Sequence, residues 1–318
     1  MAIVTNTFQT YGAKGIREEL ANTISNISPE ETPFQSNIGS ESVSNTFFEW
    51  QTDSLAATST TAVLSGDDVA SFDSVAATTR LGNYTQIRRR TVIVEDRMGA
   101  VDTAGRADEL AYQVAKRGKE LKRDIEAVLL DNNARVAGNS STAPETAGLP
   151  AWLTTNTNFN ATGGADPTGD GTDARTDGTQ RAFTEAMVKD VMQKAWTAGG
   201  SPSILMTGPY NKTVASGFTG IAETRVAGSD SPTTIIGAAD IYVSDFGNLS
   251  MVPNRFQRER DAFILDPEYA AVCYLRPITL VELAKTGDAE KRMLITEFGL
   301  KVENEAAHGI VADLTTSA

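Results

Sequence analysis

With 318 residues, 40% of them apolar, the chain can bury a core in one large domain or two, which excludes a disordered polymer. Lys and Arg number 28 against 41 Asp and Glu, a net charge of −13, so the average field repels nucleic acid and anionic membrane, and DNA could be met only by enclosure or by a local patch. One cysteine and one histidine exclude a disulfide framework, a CxxC zinc site and a two-histidine metal helix, and they leave a Ser-His-Asp triad only if His308 serves it. The first residues carry no basic-then-apolar leader, and no apolar run reaches the roughly 18 residues of a membrane span, so synthesis in the cytoplasm and no membrane partner are expected.

Residues 1–14 are rich in Thr, Asn and Gln, after which Ile16, Leu20, Ile24 and Ile27 predict a short amphipathic helix that stops at Ser28-Pro29. Together they describe a polar arm that packs on its own domain or on a neighbour. Residues 45–52, NTFFEWQT, predict a strand with Phe48 and Trp50 on one side and Phe47, Glu49 and Gln51 on the other. Its expected partner is 84–95, YTQIRRRTVIVE, a run of β-branched and long polar residues without a breaker. Between them Leu55, Val63, Leu64, Val69 and Phe72 are spread through Ala, Ser, Thr and Asp, too widely spaced to close a core. This is a long two-stranded loop. Isolated ribbons are marginal in water, so the surface that this one lies on is expected to come from another copy of the chain. Arg88 and Arg90 fall on one face of the return strand and Arg89 on the other. They fit a solvated edge, bidentate contacts to carboxylates of a neighbouring subunit, or a small nucleic-acid patch.

The longest single element is predicted over 102–131, where Leu110, Val114, Leu121, Ile125, Val128 and Leu129 recur at steps of three, four and seven among charged residues. Gly105 and Gly118 weaken it by about 1 kcal/mol each. Such a helix is a surface element with a solvated face, or a strut that holds apart two regions touching different neighbours. Residues 138–180 read as loop, with a brief return to the core at Leu149, Pro150, Ala151, Trp152 and Leu153. Asp166, Asp170 and Asp173 lack the spacing of a calcium loop. Thr184 caps a second helix with Met187, Val188, Val191, Met192 and Trp196 on one face, stopped by Gly199-Gly200. A strand at 203–207 leads through Gly208-Pro209 into a third helix carrying Tyr210, Val214 and Phe218, and no phosphate-loop pattern accompanies that turn.

Short strands follow at 235–236, 241–246, 249–252, 262–265, 270–275 and 278–283, with a break at Arg276-Pro277. With the two helices they predict a compact α+β unit over 185–285, left through a hinge at 285–290. The alternation of Leu294, Thr296, Phe298, Leu300 and Val302 predicts a long half-buried strand that pairs with the ribbon base or lies under the long helix, and Ile310, Val311 and Leu314 finish the sheet. Cys273, in an apolar run, is expected to be buried, and His308 beside Gly309 to be packed or solvated. No catalytic, cofactor-binding or metal-binding set emerges.

The order of arm, long loop, long helix, central α+β unit and returning strand resembles the major capsid proteins of tailed bacteriophages with the Hong Kong 97-type fold. The residues that carry the resemblance are FFEWQTDSL at 47–55, the return strand and helix at 84–131, SILMTGPYNKTVASGF at 203–218, DFGNLSMVPNRF at 245–256, ILDPEYAAVCYLRP at 264–277 and the stretch from 285 to 314, the last three similar to the variant typified by phage SU10. The resemblance implies an N-terminal arm at 1–44, an extended loop at 45–92, a peripheral domain from 93–184 and 286–318 with its spine helix, and an axial domain at 185–285. It implies hexamers and pentamers of an icosahedral head that encloses double-stranded DNA without reading its sequence, and a place in the virion after assembly in the host cytoplasm. Portal, separate scaffolding protein and decoration protein are the implied partners; no charged helical segment precedes the arm to act as a fused scaffold. No lysine lies between Lys14 and Lys116, so covalent cross-linking through a loop lysine is not expected. Phe47, Phe48, Trp50, Arg88, Arg89 and Arg90 are the expected contacts between subunits, so Trp50→Ala is expected to stop assembly and spare the fold. An encapsulin-like compartment shares the implied fold, and a carboxylate-dependent cytosolic hydrolase is the alternative from another class.

Overall fold

A computed structural model of the chain describes residues 28–69, 72–101, 108–218 and 240–317; the helix predicted over 16–27, the first turns of the predicted long helix and the strand at 235–236 lie outside them. In chain order the elements are α1 (Pro33–Asn37), β1 (Gly39–Ser42), β2 (Phe47–Thr52), β3 (Thr79–Tyr84), β4 (Gln86–Glu95), α2 (Asp96–Gly99) and α3 (Glu109–Leu129). There follow β5 (Thr157–Asn158), α4 (Glu185–Thr197), β6 (Ile204–Thr207), α5 (Pro209–Ser216), β7 (Ile241–Ser244), β8 (Gly247–Pro253), β9 (Ala262–Leu265), β10 (Ala270–Glu282), β11 (Ala289–Val302) and β12 (Gly309–Val311). They form a four-stranded sheet in the order β1-β10-β11-β4, a six-stranded sheet in the order β5-β12-β9-β6-β8-β7, and the β2-β3 pair.

The long helix is α3. The Asp108 carboxylate starts it by accepting from the N–H groups of Leu110 and Ala111, and its 21 residues span about 30 Å. Leu121, Ile125, Val128 and Leu129 bury one stripe, which lies on the face of β4 and β11. Alternation then divides the six-stranded sheet between two cores. Ile204, Met206, Phe263, Leu265 and Ile310 point toward α3 and the Leu149–Leu153 segment, whereas Leu205, Ala262, Ile264 and Val311 point toward Val188, Val191 and Met192 on α4. Trp196 departs from the predicted stripe: it is largely exposed at the end of α4, with its ring 5.5 Å from that of Phe246.

Three expectations are corrected. First, residues 84–95 do not form one strand against 45–52. β2 pairs with β3 from Phe47–Tyr84 to Thr52–Thr79, and β4 crosses into the four-stranded sheet against β11. Thr85 is the crossing point, with its N–H donating to Thr46 O at 2.8 Å and its hydroxyl to Glu297 Oε1 at 2.8 Å. Second, β10 runs through Arg276-Pro277 as one strand, and register shifts on either side of Arg276 absorb the proline that cannot donate to the ladder. Third, the predicted hinge at 285–290 is the tip of the β10–β11 hairpin, closed by Leu283 N–H to Lys291 O at 3.1 Å.

The predicted unit at 185–285 therefore does not coincide with a sheet. β10 lies inside that range but belongs to the four-stranded sheet, while β5 and β12, outside it, complete the six-stranded one. His308 is packed: its Nδ1 accepts from Asp266 N–H at 3.3 Å, which leaves Nε2 to donate to Tyr269 O at 3.3 Å, and burial lowers its pKa. Cys273 is fully buried on β10, and burial pushes its thiol up to about 12. A thiol-alkylating reagent at neutral pH should leave the native protein unmodified and label it after denaturation, as read by mass spectrometry; rapid native labelling would contradict this packing.

Candidate assembly surfaces

The extended loop has a fixed base and an uncovered end. At the base, Phe48 and Trp50 face inward and are each only 8% exposed. The Trp50 ring lies 5.3 Å from that of Trp152 and 5.9 Å from that of Phe48. Phe48 seats on Gly299 of β11, where an added Cβ would come within 2.6 Å of the ring. Asn83 locks the pair to the body: its Nδ2 donates to Leu300 O at 2.7 Å, and its Oδ1 accepts from Ala147 N–H at 3.0 Å. Phe47 points the other way, against Tyr84 at 4.6 Å and under the Arg135 guanidinium at 5.5 Å. Phe48 and Trp50, expected at a neighbouring subunit, lie in the subunit's own core. Phe47 is half-buried against its own chain.

Beyond Thr52 the strand pairing ends, and the chain rejoins this anchorage at Thr78, whose hydroxyl donates to Gln51 Oε1 at 2.8 Å, and Thr79. Leu55 and Val75 are almost wholly exposed, and Val63, Leu64, Val69 and Phe72 are mostly so. Large apolar side chains left exposed along one loop mark a surface that another body covers. The same stretch, 53–78, carries Asp53, Asp67, Asp68 and Asp73 and no Lys or Arg.

The three arginines of β4 separate. Arg90 forms a two-pronged pair with Asp124 on α3, Nε to Oδ2 and Nη2 to Oδ1 both at 2.7 Å, and the hydrogen bonding to Asp124 raises its pKa. Within the subunit, Arg90, expected at a neighbouring subunit, braces β4 against α3. Arg88 and Arg89 are exposed and form no ion pair among the described residues. The Gln86 carboxamide, turned so that its oxygen faces Arg88, accepts from Nε and Nη2 at 3.2 Å, which orients the guanidinium without neutralising it. These two arginines open onto a cleft of about 600 Å³ shared with Val128, Phe256 and Arg258.

A residue outside the sequence reading joins three parts of the molecule. Glu126, on the buried arc of α3, accepts at Oε1 from Phe34 N–H at 2.7 Å and from Asn254 Nδ2 at 2.8 Å. Its Oε2 accepts from Gln35 N–H at 3.0 Å and Gln35 Nε2 at 3.1 Å. One carboxylate thus caps α1 and holds the residue that follows β8 in the six-stranded sheet. Burial pushes its pKa up against the opposing pull of these four donors. An acid at helical position 126, between Ile125 and Val128, is the one signal that could have found it.

Comparison with known proteins agrees with this architecture. The major capsid protein of Escherichia phage Phieco32 is 31% identical over 341 aligned positions, covering 96% of each chain. Among solved structures, the capsid asymmetric unit of cyanophage A-1(L) superposes with a TM-score of 0.62 at 15% identity, covering 94% of this chain and 97% of that one. A Mycobacterium phage Adephagia structure superposes at 0.59 with 14% identity, covering 94% and 96%. The fold is α+β of the Hong Kong 97 capsid type. Residues 3–315 match the family described as SU10 major capsid protein, and with the Phieco32 relative this places the chain in that family of phage shell proteins.

Proposed function

We propose that the chain builds the closed icosahedral head of a tailed phage as pentamers and hexamers, assembled in the host cytoplasm and filled with double-stranded DNA that it encloses without sequence reading. The observation that carries this reading is the loop at 53–78, apolar, exposed and tethered at both ends to a rigid base. Its covering is a neighbouring copy. In such a shell the four-stranded sheet with α3 would be the peripheral unit and the six-stranded sheet with α4 and α5 the axial one, with the arm at 1–44 reaching a neighbour. An interface of this obligate kind buries roughly 2,000 Å² or more, and closed symmetry repeats it. The net charge of −13 suits an inner wall that releases DNA as it is driven in.

A portal and a separate scaffolding protein are the partners such assembly calls for. The phage G structure contains major capsid proteins together with decoration proteins, and an equivalent partner here would bind the outer face. The test is removal of 53–78. Because Thr52 and Thr79 are paired neighbours in the β2-β3 register, an Asn-Gly turn can close the hairpin in their place. The shortened chain should keep its melting temperature and form no particles by negative-stain microscopy. Normal particles would remove the loop from assembly.

A further inference from the structure

We propose that the Arg88–Arg89 end of the cleft between β4, α3 and the 256–258 turn receives the Asp67–Asp68 tip of a neighbouring copy's extended loop. The inference rests on the reading of that loop as an inter-subunit element and names what it recognises.

The cleft is electrostatically lopsided. At one end Arg258 pairs with Asp177 at 2.5 Å and Asp261 at 3.0 Å, and the charge of Asp131 also bears on it. In the middle Arg90 is closed by Asp124. At the other end Arg88 faces only the neutral carboxamide of Gln86, and Arg89 meets no carboxylate among the described residues. Arg88 and Arg89 border this end from the two faces of β4, the edge strand of its sheet, and two guanidinium groups without anions, in a chain of net charge −13, give it the positive charge that a carboxylate pair can meet. The floor beside them is apolar, from Ala127, Val128 and Phe256.

The loop tip has the matching pattern. Leu64 O accepts from Asp67 N–H at 3.1 Å, and Gly66 takes the φ of +85° that the turn requires. This turn projects Asp67 and Asp68 side by side, flanked by Val63, Leu64 and Val69, all exposed. Acids set between apolar residues thus face arginines set beside an apolar floor. From the anchors at Thr52 and Thr79 the tip can reach roughly 35 to 50 Å, enough to cross onto an adjacent subunit. Charge of opposite sign would select the register in which one loop lies on the next body, and like charge would reject the wrong one.

Charge exchange tests the pairing. Asp67→Arg with Asp68→Arg should lower particle yield at least about tenfold, as should Arg88→Glu with Arg89→Glu, since opposed like charges repel strongly. Subunit melting should be unchanged in both. Combining all four substitutions should restore most of the yield, measured by sedimentation and negative-stain microscopy. Full yield from either reversed pair, or no recovery in the combination, overturns the pairing; if the shortened loop also abolishes particles, the loop's role in assembly still stands. If Arg88→Glu with Arg89→Glu leaves empty shells intact but weakens DNA retention by the protein, the cleft serves phosphate and the pairing is wrong.

Discussion

Replacing Glu126 with alanine should destabilise the subunit by about 2–4 kcal/mol, because it leaves buried N–H donors with nothing to accept from them. The substitution orphans the N–H groups of Phe34 and Gln35 and leaves the Asn254 amide with the Met206 sulfur, at 3.3 Å, as its acceptor among the described residues. An unsatisfied buried donor costs about 1–3 kcal/mol, and partial access of water to Gln35 keeps the sum below three full penalties. Urea denaturation should show a lower midpoint. Glu126→Gln should fall between wild type and alanine, because its oxygen can still accept while its amide nitrogen meets donors. The pH dependence separates charge from shape. A carboxyl whose folded pKa is raised above the ordinary 4.5 binds its proton more tightly in the folded state. Its contribution is full below pH 4.5 and fades as pH rises through the folded value, so the wild-type curve should carry a decline in that window that Glu126→Gln lacks. An alanine variant as stable as wild type would show that α1, α3 and the six-stranded sheet are held together elsewhere.

How far the chain could be read beforehand follows from what each signal encodes. The second half of α3, the strands β6 and β9 and the Leu149–Leu153 return were legible, because burial on one face or both faces writes itself into apolar spacing. The exposed apolar residues of 53–78 were legible for the opposite reason: their spacing matches no period, so no surface of their own chain could cover them. Strand partners were not legible. Residues 84–95 alternate equally well against β2 or β11, and the switch at Thr85 depends on two hydrogen bonds to distant segments. The contacts that Phe48, Trp50 and Arg90 make within their own chain were not legible for a related cause. Alternation says that one face of a strand is covered, but not whether the cover is the same molecule, and β11, the Leu149–Leu153 segment and Asp124 supply it from far along the chain. As members of a capsid family these chains are structural, not enzymes, so motif chemistry offered no second route to the site.

Trp50→Ala should accordingly unfold the subunit instead of merely preventing assembly, the reverse of what its place on a projecting loop suggests. Its indole fills the space between Phe48 and Trp152 in the core shared by the β2-β3 pair, α3 and both larger sheets. Truncating a buried tryptophan costs about 3–5 kcal/mol from lost burial and the remaining cavity, a large part of the stability of an ordinary domain. Soluble yield and melting temperature should both fall, and the surviving material should bind a hydrophobic dye. Trp50→Phe gives the control, since Trp50 Nε1 is buried without a hydrogen-bond partner among the described residues and a phenyl ring forfeits volume but no polar contact. That variant should melt near wild type and assemble. Arg88→Ala with Arg89→Ala provides the complementary result, in which melting is unchanged and particles are lost. If instead Trp50→Ala melts like wild type while forming no particles, Trp50 is an interface residue and the base of the loop is not part of the subunit's own core.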